Sequence, residues 1–412
     1  MTARILLLLT AHTYRAEAFL AAAGRLGIEV VTAVDIPPQL AVPPNVTLGL
    51  DYRDVETAVT AITAYAHTRP LAAILAVDDS GTLLAARAAR ALGLPHNNPD
   101  AALAARNKLV MRQMLQTGGV PVPAFRPFTL ADDPADIAAR VTFPCVVKPL
   151  ELSGSRGVMR ANDAGELATA VARLRRILLR LSPEPDQPFL VEEYIPGVEV
   201  ALEGMLDDGV LHPLALFDKP DPLEGPFFEE TIYVTPSRLP DEVQQAIFAR
   251  TAQAAAALGL RTGPIHAELR VNEAGPWLVE MAGRSIGGLC SRTLRFGVDA
   301  SLEELILRQA AGLGLGDAHR QKAASGVMMI PIPEAGLLKG VNGVAAAEAV
   351  PLIESVEITA PLHYPLVPLP EGESYLGFIF ARGETATAVE AALRAAHQQL
   401  HFTIAPLLTI NN

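Results

Sequence analysis

The sequence predicts an α/β protein that begins with a doubly wound parallel βα domain, continues as an α+β catalytic part and ends in a small α+β module. Strand-like and helix-like segments alternate over the first hundred residues, carboxylate-bearing strands follow in the middle, and a strand–helix pair closes the chain. Repeated βα units place their strands in parallel, because right-handed crossovers return each strand beside its predecessor. At roughly 150 residues per domain, a chain of 412 residues has room for about three domains.

Composition excludes several classes of protein. Half of the residues are hydrophobic and 19% are charged, which is typical of a chain that buries a core. The 33 basic and 45 acidic residues give a net charge of −12, so a broad nucleic-acid surface is not expected. The longest early apolar run, Ile5–Leu9, is too short for a signal peptide or a membrane span. We therefore expect a cytoplasmic protein with neither nucleic acid nor membrane as a partner.

Two cysteines are too few for a disulfide framework. Cys145 lies in an apolar run and is predicted to be a core residue, and for Cys290 we favour a packed thiol over a nucleophile. The basic residues cluster once, on a stretch predicted to be the solvated face of a helix, at Arg173, Arg175, Arg176 and Arg180.

The first domain, predicted as residues 1–104, contains the alternating segments. Strands are predicted at Ile5–Leu9, Ile28–Val34 and Leu71–Val77, and helices at Arg15–Leu26, Val55–His67 and Thr82–Leu92. Gly27 fits the left-handed cap that ends a helix. No G-x-G-x-x-G follows the first strand, so a dinucleotide site is not supported there.

The second domain is predicted as residues 105–325, with a lid subdomain at 138–200, and the third as residues 326–412. Asp207-Asp208-Gly209 is a hairpin signal between two strands. Further strands are predicted at Phe143–Lys148, Phe189–Ile195, Val200–Leu206, Val210–Phe217 and Tyr375–Ala381, and helices at Asn107–Gln116, Ala164–Leu181, Asp241–Leu258 and 386–400.

A glycine-bearing loop follows the strand that ends at Lys148, with the sequence Ser153-Gly154-Ser155-Arg156-Gly157. Small residues let backbone N–H groups approach a polyphosphate, and a lysine supplies a point charge for its oxygens. The loop is not a Walker motif, because no G-x-x-x-x-G-K-[ST] occurs. The alternative is a hairpin turn beside a surface lysine.

A strand ending in carboxylates, Val191–Ile195, follows the glycine loop, with Glu199 a few residues later. Its backbone edge offers hydrogen bonds to a base, and a carboxylate offers them to ribose hydroxyls. An acidic strand end without a ligand is the alternative.

Two adjacent segments alternate with period two, at Ile265–Val271 and Trp277–Ala282, so each presents two faces. A three-residue loop at Glu273–Gly275 places Glu268 directly opposite Glu280, with Cβ atoms about 5 Å apart. A hard cation between the two carboxylates removes their repulsion. A two-residue slip or an even-length loop would separate them, and they would then be ordinary polar-face residues.

The order of these features resembles the ATP-grasp superfamily of carboxylate–amine ligases over about residues 1–320. The matching residues are Lys108, Lys148 with its glycine loop, Glu192-Glu193-Tyr194-Ile195 with Glu199, Glu268, and Glu280-x-x-x-Arg284. The tail resembles the C-terminal module of the L-amino-acid ligase branch at Leu369-Pro370, Leu376-Gly377-Phe378 and Ala381-Arg382-Gly383. The resemblance implies an ATP-grasp fold for the catalytic part.

The resemblance also implies a nucleotide site. Lys108 and Lys148 contact the ATP phosphates, and the loop containing Ser153, Gly154, Ser155 and Gly157 covers them. Adenine is held by Glu192 and the segment Glu193, Tyr194 and Ile195, the ribose by Glu199, and Mg²⁺, or Mn²⁺ in its place, by Glu268 and Glu280. The sequence departs from the family at Ala282, where an asparagine is usual. A metal ligand is therefore missing, and a water or phosphate oxygen takes its place or the second metal is held weakly.

By the same resemblance, a substrate carboxylate is phosphorylated by ATP, and an amine then displaces the phosphate. Arg284 is expected to clamp a carboxylate or the oxyanion, a structural salt bridge being the alternative. His266 accepts the amine proton or, alternatively, only donates hydrogen bonds. Ser285, Gly287 and Gly288 are expected to line the acyl pocket. The loop Asp218–Thr231 supplies an apolar wall and an ammonium partner, with Glu229 the candidate, or is an ordinary surface loop.

Other functions remain open at this stage. A biotin-carboxylase-like or nucleotide-biosynthesis enzyme shares the expected fold, although no Met-Lys-Met carrier motif occurs. A regulator that binds nucleotide but does not catalyse a reaction is a further alternative. The one feature in its favour is Ala282, which stands where the family usually has an asparagine. Amino acids are the expected substrates, and a homodimer is expected from the frequency of two-fold symmetry among soluble oligomers.

Overall fold

The computed structural model describes residues 3–41 and 46–406, so the outer ends of the predicted first and last domains lie outside the described residues. A parallel sheet with strand order β3-β2-β1-β4 opens the chain. Its strands are β1 (Arg4–Leu9), β2 (Glu29–Asp35), β3 (Leu48–Leu50) and β4 (Ala73–Ala76), and its helices are α1 (Ala16–Leu26), α2 (Val55–Thr68) and α3 (Thr82–Ala91). The predicted parallel domain is confirmed, with β3 as an additional strand.

Both faces of this sheet are covered by helices, which explains why β1 is continuously apolar. Ile5 and Leu7 pack in a cluster with Phe19 of α1, and Leu6 packs in a second cluster with Ile62 of α2. Gly27 ends α1 in the left-handed conformation, with φ of 65°, as predicted.

Two helices lead into a second, four-stranded sheet of order β5-β8-β6-β7, which we call the lid sheet. It begins at Phe125, upstream of the predicted subdomain. The elements are α4 (Pro99–Ala104), α5 (Lys108–Thr117), β5 (Phe125–Thr129), α6 (Pro134–Ala138), β6 (Cys145–Pro149), β7 (Met159–Ala161), α7 (Ala164–Leu181) and β8 (Pro188–Glu193). The glycine loop connects β6 to β7.

An eight-stranded sheet of order β13-β12-β9-β10-β11-β14-β18-β16 forms the centre of the molecule. Its first six strands by sequence are β9 (Val198–Asp207), β10 (Val210–Asp218), β11 (Ile232–Thr235), β12 (Gly263–Asn272), β13 (Gly275–Ala282) and β14 (Ala324–Ile330), with helices α8 (Asp241–Leu258) and α9 (Leu302–Ala310). Asp208 and Gly209, both with positive φ, form the predicted turn between β9 and β10.

The C-terminal region continues this central sheet, because β18 pairs with β14 along its length. Its elements are β15 (Gly336–Asn342), α10 (Val344–Glu348), β16 (Ile353–Ile358), β17 (Pro365–Leu366), β18 (Gly377–Gly383), α11 (Ala386–His397) and β19 (His401–Ala405). Strands β17, β15 and β19 form a small separate sheet. Val389 and Leu393 of α11 pack in one core with Ile379 of β18, so this region shares a core with the central sheet.

The hairpin of β12 and β13 places Glu268 opposite Glu280, as predicted, but by a different route. Asn272 pairs with Gly275, so the loop has two residues rather than the predicted three. A bulge then leaves Val279 unpaired between Leu278 and Glu280, which restores the pairing of the carboxylates. The bulge also changes which side chains share a face, since Leu278 and Met281 both lie in the same core cluster. Strict alternation along the second strand was therefore wrong.

No helix among the residues that the structure describes is long and apolar enough to cross a membrane.

Candidate active site

A cavity of about 680 Å³ lies where the N-terminal sheet, the lid sheet and the central sheet meet. Most of the site residues predicted from the sequence line it, namely Lys108, Lys148, Ser153, Gly154, Ser155, Glu192, Glu193, Tyr194, Ile195, Glu199, His266, Glu268, Glu280, Arg284, Gly287 and Gly288. Gly157, Glu229 and Ser285 lie outside its lining. Residues separated by up to 180 positions in the sequence are thus brought to one place by the meeting of the three sheets.

Lys148 is held at the cavity wall by a buried ion-pair network. Its Nζ lies 2.6 Å from Oε2 of Glu192, and Oε1 of Glu192 accepts a 2.6 Å hydrogen bond from Nε of Arg112. Burial alone would raise the pKa of Glu192, but the charges of Arg112 and Lys148 outweigh it and lower the pKa to about 2. The Glu192 carboxylate, expected at adenine, is thus engaged with two cations, and it positions the lysine.

The second predicted phosphate lysine, Lys108, opens helix α5 and reaches a metal-site carboxylate. Asn107 caps that helix through its side chain, which accepts from the backbone of Leu109 and Val110. Nζ of Lys108 lies 3.2 Å from Oε2 of Glu280 and donates a 2.8 Å hydrogen bond to the carbonyl of Leu152. The lysine therefore connects the start of the glycine loop to the β12–β13 hairpin.

An aromatic wall stands beside the end of β8. Tyr194 stacks on Phe228 with ring centroids 6.5 Å apart, and the guanidinium groups of Arg160 and Arg270 lie 4.1 Å and 5.0 Å from the Tyr194 ring. The N–H groups of Glu193 and Tyr194 are engaged by the carbonyls of residues 124 and 144. Those two donors are therefore already used, and the carbonyl of Ile195 accepts from Arg270.

Three carboxylates of the cavity wall converge on one buried lysine. Among the described residues, Glu199, Glu230 and Glu268 form a group whose oxygens lie within 4.8 Å of one another. Nζ of Lys219 contacts all three, at 2.8 Å from Glu199 and 3.2 Å from Glu268, with Glu230 closer still. Burial alone would lower the pKa of Lys219, but the three anions raise it well above its usual value. Glu199, expected at the ribose, also accepts a 2.8 Å hydrogen bond from Arg270.

Both ring nitrogens of His266 face carboxylates. Nδ1 is hydrogen bonded to Glu203, and Nε2 lies 3.3 Å from Oε1 of Glu268. Burial alone would lower the pKa of His266, but the two carboxylates outweigh it and raise the pKa to about 9. Because both ring nitrogens are already engaged by carboxylates, of the two interpretations of His266 this geometry favours the hydrogen-bonding residue.

Arg284 reaches the N-terminal domain from the end of β13. Its Nη2 lies 2.6 Å from Oδ2 of Asp79, and its Nη1 donates to the carbonyl of Ser285 at 2.9 Å. Ser285 does not line the cavity, and its side chain accepts a hydrogen bond from Arg15, which does. Arg284 thus makes an ion pair with Asp79, and both residues line the cavity.

The other predicted residues occupy supporting places. The N–H of Gly157 donates to the carbonyl of Pro370 at 2.9 Å, and an added Cβ would meet Pro149 and Leu174. Glu230, and not Glu229, is the loop carboxylate on the cavity wall. Both cysteines are buried, as predicted, and burial raises the pKa of the Cys290 thiol.

The lid and the C-terminal region are tied together by ion pairs. Arg173 of α7 donates two hydrogen bonds to Glu371, at 2.6 and 2.8 Å, and Arg156 of the glycine loop lies 3.4 Å from Glu373. The prediction of a merely solvated face was therefore wrong for Arg173. Its partner lies about two hundred residues later, beyond the reach of any local sequence pattern.

Sequence reasoning missed several members of the site. Arg270 lies on β12, where it pairs with Glu199, and Lys219 directly follows Asp218, the last residue of β10. A lysine at the end of an apolar strand was the available signal for Lys219. Arg112, Glu203 and Asp79 had no local signal, because their partners are distant in sequence.

Comparison with known families identifies the fold of this site. Residues 20–96 match the ATP-grasp N-terminal domain, residues 141–293 the ATP-grasp domain, and residues 328–405 the L-amino acid ligase C-terminal domain 2. The chain belongs to the ATP-grasp superfamily.

Individual relatives of this ATP-grasp protein agree with that assignment. The protein y4rH of Sinorhizobium fredii, uncharacterized, is 27% identical over 325 residues, which are 78% of this chain and 66% of y4rH. Alanine–anticapsin ligase of Bacillus subtilis is 28% identical over 319 residues, 66% of this chain and 67% of that protein. The solved L-amino acid ligase from Bacillus licheniformis has a TM-score of 0.82 and 26% identity, covering 98% of this chain and 100% of the other. The chain spans about two thirds of the length of these two curated relatives.

The donor set in this ATP-grasp cavity fits a hard divalent cation. Glu268 and Glu280 are paired across the hairpin and both line the cavity, and carboxylate oxygens are the ligands that Mg²⁺ prefers. Ala282 also lines the cavity and adds no ligand atom. Lys108 and Lys219 each contact one of the two carboxylates, so cations already balance these charges.

Proposed function

We propose that this protein is an ATP-dependent carboxylate–amine ligase that joins an L-amino acid to an amine and releases ADP and phosphate. The observation that carries the proposal is one cavity that combines two lysines, a glycine loop, the pair Glu268–Glu280 and Arg284. Relatives named alanine–anticapsin ligase and dapdiamide A synthase support the same class of reaction.

In the first step, a carboxylate oxygen of the substrate attacks the γ-phosphorus of ATP, and the bond to the bridging oxygen of ADP breaks. Lys148 is placed to stabilise the charge on the transferred group, because Glu192 and Arg112 fix its position. The ammonium of Lys108 donates a hydrogen bond to the carbonyl of Leu152, which directly precedes the glycine loop. The two lysines therefore supply preorganised positive charge.

Glu268 and Glu280 would hold Mg²⁺. The bound cation supplies Lewis-acid stabilisation of the phosphate oxygens. Lys108 and Lys219 neutralise the same carboxylates where they face the protein.

In the second step, the amine nitrogen attacks the acyl carbon, the bond to the phosphate oxygen breaks, and phosphate leaves with the amine proton. Arg284 lines the cavity and offers its guanidinium to the acyl oxygen as charge develops there. His266 is assigned a hydrogen-bonding role that orients Glu268. Gly287 and Gly288 continue the wall from Arg284 and leave room for the acyl group.

Water must be kept from the acyl phosphate, and the lid is suited to this task. Ser153, Gly154 and Ser155 cover one side of the cavity. The Arg173–Glu371 pair and the hydrogen bond from Gly157 to Pro370 hold the lid to the C-terminal region. Glu230 is the candidate partner of a substrate ammonium, since it lines the cavity where Glu229 does not.

The test is to incubate the protein with Mg-ATP and pooled amino acids and to follow phosphate release. Release that depends on the amino acids is expected. A regulator that binds nucleotide without turnover is the second candidate, and Ala282 is the observation that favours it. Nucleotide binding without phosphate release against every carboxylate in the pool would support that regulator and overturn the ligase.

The proposal also covers the cellular compartment, the metal ion and the oligomeric state. We infer that the enzyme works in the cytoplasm with Mg²⁺, where ATP is plentiful. The expected homodimer stays a prediction, which sedimentation of the purified chain would test.

A further inference from the structure

A group of apolar and aromatic side chains lines part of the same cavity. Its members are Tyr14, Ile286, Met329, Tyr375 and Phe378, which we call the aromatic cup. Tyr14 comes from the loop after β1, Ile286 from the segment after β13 and Met329 from β14, whereas Tyr375 precedes β18 and Phe378 lies on it. Four segments of the fold therefore contribute to one uncharged wall.

The rings of the cup support one another. The Phe378 ring lies 6.1 Å from the Tyr14 ring, in edge-to-face geometry, and 6.2 Å from the Tyr375 ring. Phe378 also stacks on Phe380 at 6.3 Å, which fixes it from behind. The cup is thus a shaped surface whose central ring is buried in the core.

A glycine keeps the cup open. Gly288 has φ of 58°, and a Cβ added there would lie 3.1 Å from Cε1 and 3.3 Å from Cζ of Phe378. That contact is tighter than ordinary packing, so a larger residue would press on the ring. Gly288 follows Arg284 by four residues, and both line the same cavity as the cup.

The cavity therefore presents three kinds of surface to one small molecule. Arg284 offers a cation to a carboxylate, Glu230 offers an anion to an ammonium, and the aromatic cup offers an apolar surface. This combination matches an amino acid with an apolar side chain. A charged side chain placed against the cup would lose its hydration without gaining a partner.

On the basis of the proposed ligase function, we propose that the aromatic cup binds the side chain of an amino-acid substrate and selects large apolar side chains. Leucine, methionine and phenylalanine are the expected class, and aspartate and lysine are disfavoured. A hydrophobic pocket discriminates by roughly tenfold or more for each methylene it buries, so the preference is measurable as a ratio of kcat/KM.

The test compares substrates and variants of the full chain by amino-acid-dependent phosphate release. Wild type is expected to use phenylalanine or methionine at least tenfold better than aspartate or lysine. Tyr14→Ala should reduce the ratio of kcat/KM for phenylalanine over alanine by roughly tenfold, whereas Tyr14→Phe should retain it, because the ring and not the hydroxyl forms the cup. Tyr14 is half-exposed outside the core, so the variant is expected to fold. The control is Tyr364→Ala, which removes an exposed tyrosine that does not line the cavity.

The outcomes separate this inference from the function on which it rests. Turnover that is equally fast with aspartate or lysine would contradict the proposed selectivity of the aromatic cup. An unchanged ratio of kcat/KM for phenylalanine over alanine in Tyr14→Ala would contradict it as well. Neither result would contradict the ligase function. An equal fall of this ratio in the control Tyr364→Ala would also contradict the proposed selectivity, since the effect would then not be specific to the cup. Absence of phosphate release with every amino acid overturns both.

Discussion

Glu268 lies directly opposite Glu280 across the β12–β13 hairpin, and a bulge at Val279 produces this pairing. Without the bulge, the two-residue loop would place Glu280 out of register with its partner. Lys108 lies 3.2 Å from Glu280, and Lys219 lies 3.2 Å from Glu268. The hairpin thus brings two anions together while the surrounding protein limits their repulsion, as a divalent-cation site requires.

Glu280→Gln is expected to abolish turnover and weaken Mn²⁺ binding, because a neutral amide loses the charge that attracts the cation. The fold should survive, since the Glu280 side chain is about one third exposed and Lys108 keeps its hydrogen bond to the carbonyl of Leu152. Metal titration by electron paramagnetic resonance and circular dichroism measure the two effects. Glu273→Gln, on the exposed loop of the same hairpin, is the control and should change neither.

Ala282→Asn is expected to tighten metal binding, because it adds an amide oxygen on the cavity wall beside Glu280. The preference among amino acids should not change, since Ala282 is not part of the aromatic cup. Mn²⁺ titration of the variant against Ala274→Asn, on the loop of the same hairpin, measures the gain. Equal metal affinity in both variants would show that position 282 does not face the cation.

Lys148→Ala is expected to weaken ATP binding by about 1.5–3 kcal/mol, the usual contribution of a hydrogen bond to a charged group. Glu192 would keep Arg112 as a partner, so the loss should be local. Isothermal titration with ATP measures it, with the exposed Lys339→Ala as control. Unchanged affinity in Lys148→Ala would remove the phosphate role.

Glu192→Gln is expected to destabilise the protein by about 3–5 kcal/mol, because Arg112 and Lys148 would lose the anion between them. The folded pKa of Glu192 is lowered to about 2, so its contribution is complete above pH 4.5 and is lost as the pH falls towards 2. Denaturant unfolding should therefore show a difference from wild type that is constant above pH 4.5 and shrinks below it. Glu56→Gln, at an exposed ion pair, should show little difference at any pH. A pH-independent difference for Glu192→Gln would contradict the assignment.

Much of the fold and the outline of the site could be predicted from the sequence, because they depend on local patterns. The apolar run of β1, the cap at Gly27 and the turn at Asp208-Gly209 are properties of neighbouring residues. The pairing of Glu268 with Glu280 was also predicted, although the loop length was wrong. The bulge depends on packing of Leu278 and Met281 into one core, which alternation alone does not reveal.

Long-range pairing accounts for what the sequence could not show. Glu192 was assigned to adenine by the family resemblance, and no local pattern indicated that its carboxylate also meets Arg112, 80 residues earlier. Arg173 was assigned to solvent, whereas Glu371 binds it from the C-terminal region. The aromatic cup likewise combines Tyr14 with Phe378, which no spacing connects.

The central claim is that the reaction passes through an acyl phosphate and forms ADP. Its most direct test is turnover of an amino acid whose carboxylate carries heavy oxygen, followed by mass spectrometry of the phosphate and identification of the nucleotide. Attack of the carboxylate on the γ-phosphorus predicts one labelled oxygen in inorganic phosphate, together with ADP. Appearance of AMP and pyrophosphate, or unlabelled phosphate with ADP, would contradict it.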